Sequence, residues 1–201
     1  MSQILCFGDS IAYGAFDIAG GWVARLRRIY DSRPDAQTNF VEVFNLGVTG
    51  NTSKDLAERI EFEITHRTEP DPENICIIAI GINDAAYRTA KSRNVVSIAD
   101  FEANLKKILA IATSHCPSVY ILGLAPIVES KVTPCPWFPA ISYFEKDIVA
   151  YNQALVRVSH ELEIPFISAM HVPLSQLPDG IHPDEHGHEL IARTVYGAIS
   201  K

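Results

Sequence analysis

The sequence predicts an α/β protein, a three-layer α/β/α sandwich in which one five-stranded parallel sheet lies between two layers of helices. Short apolar runs alternate with longer amphipathic stretches about five times along the chain, and parallel strands need crossover connections of that length. The run at 75–80, Ile-Cys-Ile-Ile-Ala-Ile, is typical of a strand buried on both faces. No internal repeat or low-complexity linker interrupts the pattern, so we expect one domain over residues 1–201.

The predicted elements follow one another in a regular order. Strands are expected at 4–7, 41–46, 75–80, 119–124 and 165–167. Between them, apolar side chains recur at the spacing of amphipathic helices. These stripes are Trp22, Val23, Leu26, Ile29 and Tyr30; Leu56, Ile60 and Ile64; Phe101, Leu105, Ile108, Leu109 and Ala112; Ile148, Leu155 and Leu162; and Leu190, Ile191, Val195 and Ile199. Thr52 with Asp55, and Ser97 with Asp100, are expected to cap two of these helices.

Composition excludes several classes of function. Of 201 residues, 47% are hydrophobic and 20% charged, as in ordinary globular proteins, and the formal net charge is −7. An acidic chain is not expected to bind nucleic acid or an anionic membrane surface, because those partners need clustered Lys and Arg. No apolar run is long enough for a signal peptide core or a membrane span, so we expect no stable membrane insertion and a cytoplasmic protein. The four cysteines lack metal-site spacing and are expected to be reduced structural thiols.

Polar segments follow four of the predicted strands. They are Gly-Asp-Ser at 8–10, Asn-Leu-Gly-Val-Thr-Gly at 45–50, Gly-Ile-Asn-Asp at 81–84 and Asp-Gly-Ile-His-Pro at 179–183. Ligands of parallel sheets bind beyond the carboxyl ends of the strands. We therefore expect a hydroxyl, a glycine backbone, a carboxamide and an Asp/His pair to converge at one edge of the sheet.

This set of groups fits the chemistry of acyl transfer. The Ser10 hydroxyl becomes a competent nucleophile when a base takes its proton, and His182 is the candidate base. Asp179 precedes it by three residues, so its carboxylate can reach back to the ring and fix the tautomer. The N–H groups of Ser10 and Gly47 and the side-chain NH2 of Asn83 are candidate donors to an oxyanion.

The four segments resemble, in order, the sequence blocks of the GDSL esterases and lipases, also called SGNH hydrolases. The matching residues are Gly8-Asp9-Ser10-Ile11, Asn45-Leu46-Gly47, Gly81-Ile82-Asn83-Asp84 and Asp179-Gly180-Ile181-His182-Pro183. The blocks span almost the whole chain, and four in order are far more specific than a lone Gly-Asp-Ser. Ile11 replaces the leucine of the first block and keeps an apolar side chain.

The resemblance implies a flavodoxin-like sheet and an esterase that works through an acyl-serine intermediate without a cofactor or metal. It implies Ser10 as nucleophile, His182 as base, Asp179 as its orienting partner, and Ser10, Gly47 and Asn83 as the oxyanion hole. The implied substrates are small or medium acyl esters, lysophospholipids or thioesters. A carbohydrate O-acetylesterase with the same site is the alternative, and a catalytically inactive small-molecule-binding protein is an alternative of another class.

Structural readings of the same residues stay open at this stage. Ser10 could only cap a helix, Gly47 only form a turn, and Asn83 only hold a loop. Asp9 and Asp84 are expected to bind backbone N–H groups rather than take part in chemistry. The histidines at 182, 186 and 188 raise the possibility of a metal site, but Pro183 places the helix start after the first of them. The apolar loop 125–140 either walls the site as a flap or packs over the sheet end. The oligomeric state is not predicted.

Overall fold

A computed structural model of the chain describes residues 2–69, 71 and 73–200. Residues 1 and 201, the bounds of the predicted domain, lie outside this part. The strands are β1 (Ser2–Gly8), β2 (Val41–Gly47), β3 (Ile75–Ala79), β4 (Tyr87–Arg88), β5 (Arg93–Asn94), β6 (Ser118–Leu122), β7 (Ile141–Ser142) and β8 (Phe166–Ile167). The helices are α1 (Ser10–Tyr13), α2 (Gly21–Asp31), α3 (Ser53–Arg67), α4 (Ile82–Ala85), α5 (Ile98–His115), α6 (Glu129–Val132), α7 (Glu145–Glu161) and α8 (Glu185–Ile199).

The main sheet has five parallel strands in the order β2-β1-β3-β6-β8. The prediction of a flavodoxin-like parallel sheet is therefore confirmed. β1 lies between β2 and β3, and its last residue, Gly8, is in register with Gly47 of β2 and Ala79 of β3. The carboxyl ends of three strands thus reach the same level. Each of these strands is followed directly by one of the polar segments.

Two hydrophobic cores, one on each face of the sheet, produce the three layers. β1 is buried throughout, and its side chains alternate between the cores: Leu5 and Phe7 pack with α3, α5 and α7, while Ile4 and Cys6 pack with α2 and α8. All described cysteines are buried and unpaired. In the described part of the chain, no helix combines the length and the apolar character that crossing a membrane requires.

Both predicted caps are present. The Thr52 side chain accepts the Asp55 N–H, and the Asp55 side chain accepts the Thr52 N–H, so the two residues form a reciprocal capping box at the start of α3. The Ser97 side chain likewise accepts the Asp100 N–H at the start of α5. Local side-chain chemistry therefore fixed these two helix starts, as the sequence pattern indicated.

The structure also contains elements that the sequence pattern did not predict. A small antiparallel sheet, in the order β5-β4-β7, forms separately from the main one. Its strands have two residues each, too few for an alternating pattern to be recognised. The segment 125–141, expected to be an irregular loop, contains the short helix α6 and contributes to β7. Leu162, expected on a helix stripe, is instead the half-exposed residue directly after α7, at its C-cap.

Candidate active site

Ser10 stands in the first turn after β1. Asp9 caps α1, and its Oδ1 accepts the N–H of Ile11 at 2.9 Å. Because α1 begins at Ser10, the Ser10 N–H belongs to the first turn, where helix N–H groups have no intrahelical acceptor. The side chain is buried. The sequence thus places a hydroxyl and an available backbone donor at the same point of the sheet edge.

Asp179 and His182 lie in one turn, and both carboxylate oxygens of Asp179 accept hydrogen bonds within it. Oδ1 of Asp179 accepts the N–H groups of Ile181 and His182, at 2.9 and 2.8 Å. Oδ2 accepts the Nδ1–H of His182 at 2.6 Å. Burial raises the pKa of Asp179, but the hydrogen bonds from the His182 ring and from the two N–H groups outweigh it, so the pKa lies below its usual value. The carboxylate therefore remains ionised and holds the imidazole in one orientation.

The His182 ring also reaches the serine. Its Nε2 lies 2.9 Å from Ser10 Oγ, across 172 positions of sequence. Because Nδ1 carries the proton that Asp179 accepts, Nε2 of the neutral ring has a free lone pair, and the Ser10 hydroxyl donates to it. Ser10, His182 and Asp179 thus form one continuous hydrogen-bonded chain. It joins the carboxyl end of β1 to the turn before α8.

Asn83, on α4, has its amide held at both ends. Its Nδ2 donates to the backbone oxygen of Asn51 at 2.9 Å, and its Oδ1 accepts from the hydroxyl of Tyr143 at 3.3 Å. An amide NH2 has two hydrogens, so one remains to donate to a ligand. Asn83, Tyr143 and Ser10 line the same cavity, which has a volume of about 170 Å³. We refer to this space as the inner cavity.

Gly47 and Gly50 occupy different surroundings in the loop after β2. The Gly47 N–H donates to Oδ1 of Asn45 at 3.0 Å, and a Cβ at this position would lie 2.2 Å from the Tyr13 nitrogen. Gly47 is thus required where β2 passes α1. Gly50 lines the inner cavity, has a φ of 82°, and faces open space where a side chain would begin. The glycine backbone beside Ser10 and Asn83 in this cavity is therefore that of Gly50.

Asp9 and Asp84 are buried carboxyls that bind backbone groups, as the sequence indicated. Asp84 accepts both the N–H and the hydroxyl of Ser53, which begins α3. Burial raises the pKa of Asp84 to about 6, and the Ser53 hydrogen bonds oppose that shift. Burial raises the pKa of Asp9 to about 7, opposed by the Ile11 N–H and by the His182 charge. Asp9 thus stabilises the turn that carries Ser10, and Asp84 connects the segment that carries Asn83 to the start of α3.

A second space, the outer groove, lies on the other side of His182 and has a volume of about 540 Å³. Phe16, Trp137 and His182 line both spaces. The Phe16 ring meets the imidazole edge-on at 5.1 Å between centroids, and the Trp137 ring lies 5.8 Å from it. Loop 125–140 thus contributes Trp137 to the walls of the site, which leaves its predicted movement as a flap untested. A cavity of about 500 Å³ near the strand starts, lined by Ser2 and Ser118, is remote from these residues.

The three histidines at 182, 186 and 188 do not share one site. His182 is bonded to Ser10 and Asp179, whereas His186 is exposed beside Glu185. His188 is fully buried, and burial lowers its pKa to about 4. Among residues 2–69, 71 and 73–200, no group of three or more histidine, cysteine, aspartate or glutamate side chains is placed to hold a metal ion.

Sequence reasoning missed several residues that build the site. Gly50 and Phe16 were not singled out, and the contact of Tyr143 with Asn83 was not predicted. Arg59 was also missed: from α3 its guanidinium donates to the backbone oxygens of Gly8 and Leu46. Gly50 was detectable as the second glycine of its loop. No sequence pattern marks the others, because their roles depend on contacts between distant segments.

Comparisons with known proteins show the family and the fold of the chain. A sequence profile of the GDSL-like lipase/acylhydrolase family matches residues 6–190. No curated protein sequence matches the chain. Similar solved structures include a lipolytic G-D-S-L family protein from Veillonella parvula, at 20% identity and a TM-score of 0.74 over 100% of both chains. The acetylxylan esterase Axe2 from Geobacillus stearothermophilus has 21% identity and a TM-score of 0.75, over 99% of this chain and 94% of that one.

A third solved structure is LAE5, an α/β hydrolase from the metagenome of Lake Arreo, Spain. It has 21% identity and a TM-score of 0.74, over 99% of this chain and 95% of that one. Solved forms of Axe2 include catalytic mutants in which a serine, a histidine or an aspartate is replaced by alanine. At these identities the likenesses show a shared fold. The family profile covers most of the chain: the protein belongs to the GDSL-like lipase/acylhydrolase family, and its function falls in the class of ester and acyl hydrolysis.

Proposed function

We propose that this protein hydrolyses carboxylic esters through an acyl-Ser10 intermediate, with His182 and Asp179 completing the catalytic set. The observation that carries the proposal is the hydrogen-bonded chain from Ser10 Oγ to His182 Nε2 and from His182 Nδ1 to Asp179. If Ser10 only capped a helix, or if His182 were only a surface histidine, the two side chains would have no need to bind each other. The catalytic serine, histidine and aspartate of Axe2 add support by analogy.

In the first half of the reaction, Ser10 Oγ forms a bond to the substrate carbonyl carbon. Its proton passes to Nε2 of His182, while the carbonyl π electrons move onto oxygen. The imidazolium donates Nδ1–H to the ionised Asp179, so the positive charge forms beside a negative one. Collapse of the tetrahedral intermediate breaks the bond to the alcohol oxygen. That oxygen takes the proton from Nε2 and leaves as the alcohol, and the acyl group remains on Ser10.

In the second half, water replaces the alcohol. His182 takes a proton from water as the water oxygen attacks the acyl carbon, and then returns a proton to Ser10 Oγ as the carboxylic acid leaves. Both tetrahedral intermediates carry an oxyanion that needs donors. We assign these donors to the Ser10 N–H, the second Nδ2 hydrogen of Asn83 and the N–H of Gly50. Gly47, the glycine selected from the sequence, already donates to Asn45 and is therefore replaced by Gly50 in the proposal.

The proposed substrates are small or medium acyl esters, with lysophospholipids and thioesters in the same reaction class. The second candidate is a carbohydrate O-acetylesterase, because Axe2 is an acetylxylan esterase of the same fold. Phe16 and Trp137 beside His182 add support, since aromatic walls suit the apolar faces of sugar rings. Comparing acetylated xylooligosaccharides with p-nitrophenyl acetate and longer p-nitrophenyl esters separates the two. The proposed setting is the cytoplasm, where four unpaired cysteines stay reduced.

The decisive assay compares wild type with Ser10→Ala on p-nitrophenyl acetate, with and without a chelator. We expect chelator-resistant activity in wild type and a loss of at least about a thousandfold in the variant. Full activity in Ser10→Ala would reject the proposal. An inactive wild type that still binds esters would favour the alternative of a small-molecule-binding protein. Activity abolished by the chelator would favour a metal-dependent mechanism.

A further inference from the structure

The inner cavity and the outer groove divide the site at the imidazole of His182. Ser10, Gly50 and Asn83 line the inner cavity only, whereas the outer groove contains none of the three. The carbonyl group that Ser10 attacks must therefore lie in the inner cavity. The alcohol oxygen must lie beside His182 Nε2, which protonates it, and the rest of the alcohol extends from there. The outer groove shares Phe16, Trp137 and His182 with the inner cavity, so it is the adjoining space that the alcohol can occupy.

The two spaces differ about threefold in volume, which limits the two halves of the substrate differently. At about 30 Å³ for each water-sized group, the inner cavity of about 170 Å³ accommodates roughly five or six non-hydrogen atoms. The carbonyl group uses two of them, so the acyl chain is short. The outer groove, at about 540 Å³, has room for a much larger alcohol. Its apolar walls include the strongly exposed Phe16 and Ile18 and the half-exposed Trp137.

The charged side chains that line the outer groove are mainly negative. Four carboxylates line it, and none of its described lining residues is lysine or arginine: the acidic residues are Asp17, Asp179, Asp184 and Glu185. Two cations contact residues of this lining. Arg25 pairs with Asp17, and the Lys131 ammonium donates to the backbone oxygens of Leu177 and Pro178.

The remaining carboxylates in the groove are only partly compensated. Asp179 shares its charge with His182, and Asp184 accepts the N–H groups of His186 and Gly187 at the start of α8. The helix dipole offsets part of the charge there. Glu185 is exposed, and its nearest partner is His186 at 3.6 Å. A ligand in this groove therefore meets aromatic surface and negative potential together.

We propose that the physiological substrate joins a short acyl chain to a bulky alcohol that carries no negative charge, with the alcohol bound between Phe16 and Trp137 in the outer groove. This inference rests on the proposed ester hydrolysis at Ser10. It deepens that function by naming the substrate class. Neutral alcohols and alcohols with a quaternary ammonium group fit, because cations bind favourably to aromatic faces. Oxygen esters and thioesters whose leaving group bears phosphates or other anions do not fit, so the inference narrows the proposed reaction class and removes lysophospholipids from it.

The test compares three acetate esters of similar size that differ in the charge of the alcohol. They are dimethylbutyl acetate, which is neutral; acetylcholine, its cationic isostere; and acetyl isethionate, which is anionic. Acid release by the full-length protein is followed at low ionic strength, and p-nitrophenyl acetate with Ser10→Ala serves as the separate control for ester hydrolysis. We expect kcat/KM for the anionic ester to be at least about tenfold below the other two. Adding about 0.5 M NaCl should reduce that gap to about threefold or less, because salt screens exposed charges.

A matched pair of variants ties the effect to the groove. Asp184→Asn with Glu185→Gln removes two charges and keeps an N-cap side chain at 184. This double variant should raise the ratio of anionic to neutral kcat/KM at least about fivefold. Glu61→Gln, on α3 outside the site, removes one charge and should leave that ratio unchanged.

Two outcomes overturn the inference while leaving the proposed function intact. The first is equal hydrolysis of the anionic and neutral esters at low salt. The second is a charge preference that the double variant does not alter. If wild type cleaves neither p-nitrophenyl acetate nor any of the three acetates, the proposed ester hydrolysis itself is wrong and the inference falls with it.

Discussion

The hydroxyl of Tyr143 donates to Oδ1 of Asn83 at 3.3 Å, and Nδ2 of the same amide donates to the backbone oxygen of Asn51 at 2.9 Å. Turning the amide over would place Oδ1 against the Asn51 oxygen, which can only accept, so that contact fixes the orientation and leaves Oδ1 to accept from Tyr143. Burial raises the pKa of Tyr143 well above its usual range, which keeps the hydroxyl protonated as a donor. Tyr143 is thus a positioning residue for the proposed oxyanion donor.

Replacing Tyr143 with phenylalanine should lower kcat for p-nitrophenyl acetate by about three- to tenfold and leave KM within about twofold, since one neutral hydrogen bond is lost. Tyr87→Phe is the control, because its ring packs on Phe144 and takes no part in this contact. A double-mutant cycle with Asn83→Ala shows whether Tyr143 acts through the amide. If the two losses in kcat multiply in the double variant, Tyr143 does not act through Asn83.

The two glycines after β2 should respond differently to alanine. At Gly47 a Cβ would lie 2.2 Å from the Tyr13 nitrogen and 2.8 Å from the Asp9 oxygen, so Gly47→Ala should destabilise the fold by several kcal/mol (about 3 or more). At Gly50 a side chain meets open space, and only the positive φ penalises it, by about 1–2 kcal/mol. Urea unfolding of both variants measures these free energies.

Gly50→Ala should therefore fold, yet lower kcat by at least about tenfold as the strained backbone shifts its N–H away from the oxyanion. Gly47→Ala, if enough folded protein is obtained, should keep more of its kcat than Gly50→Ala. The reverse pattern would return the oxyanion donor to Gly47. In that reverse pattern, Gly47→Ala would be stable but would lose kcat, whereas Gly50→Ala would remain fully active.

Asp9 should make stability depend on pH in a recognisable direction. Its pKa is about 7 in the folded protein and 3.8 as the usual value, so the folded state holds a proton that the unfolded chain has lost between these limits. The contribution of Asp9 to stability is therefore fully present below about pH 4 and is lost as pH rises towards about 7. A shift of this size corresponds to a loss on the order of 2–4 kcal/mol.

Urea unfolding at several pH values tests this prediction. Asp9→Asn carries no titrating group, so its free energy of unfolding should fall less than that of wild type between about pH 4 and about pH 7. Asp31→Asn, an exposed position on α2, is the control and should follow the wild-type curve. Parallel curves for wild type and Asp9→Asn would mean that folding does not raise the pKa of Asp9.

The burial of the His188 ring reduces the stability of the folded protein. Among the described residues, neither ring nitrogen has a hydrogen-bond partner, and the lowered pKa keeps the ring neutral at working pH. A desolvated polar group without a partner costs about 1–3 kcal/mol, which an apolar side chain of similar volume avoids. We therefore expect His188→Leu to have an unfolding free energy equal to wild type or higher by about 1 kcal/mol, with ester hydrolysis retained. A loss of more than about 2 kcal/mol in urea unfolding would contradict this account.

The sequence was sufficient to predict the parts of the fold that depend on local pattern. Apolar runs identified the five main strands, and the side chains of Thr52 and Ser97 marked two helix starts. Because ligands of parallel sheets bind beyond the carboxyl ends of the strands, the sequence also predicted that Ser10, Asn83, Asp179 and His182 lie close together. In the structure, Ser10 Oγ lies 2.9 Å from Nε2 of His182. These successes have one physical cause. A buried strand and a capped helix each depend on the types of a few consecutive residues, so local sequence is enough to predict them.

Properties that depend on contacts between distant segments were beyond the sequence. Gly47 and Gly50 have the same residue type, and the close approach of α1 to β2 distinguishes them. Phe16 became a wall of the site because the segment before α2 folds over His182. The hydroxyl of Tyr143 reaches Asn83 from 60 positions away. Two-residue strands such as β4 and β7 are too short for a recognisable alternation, which is why the small sheet was not predicted.

The most direct test of the central claim is labelling with a fluorophosphonate, which phosphonylates a serine only when a neighbouring base activates it. Intact-mass spectrometry of wild type should show one added phosphonyl group per chain, and peptide mapping should place it on Ser10. Ser10→Ala should gain no mass, and His182→Ala should react at least about a hundredfold more slowly. An unlabelled wild type, or equal labelling of Ser10→Ala, would contradict the assignment of Ser10 as the nucleophile.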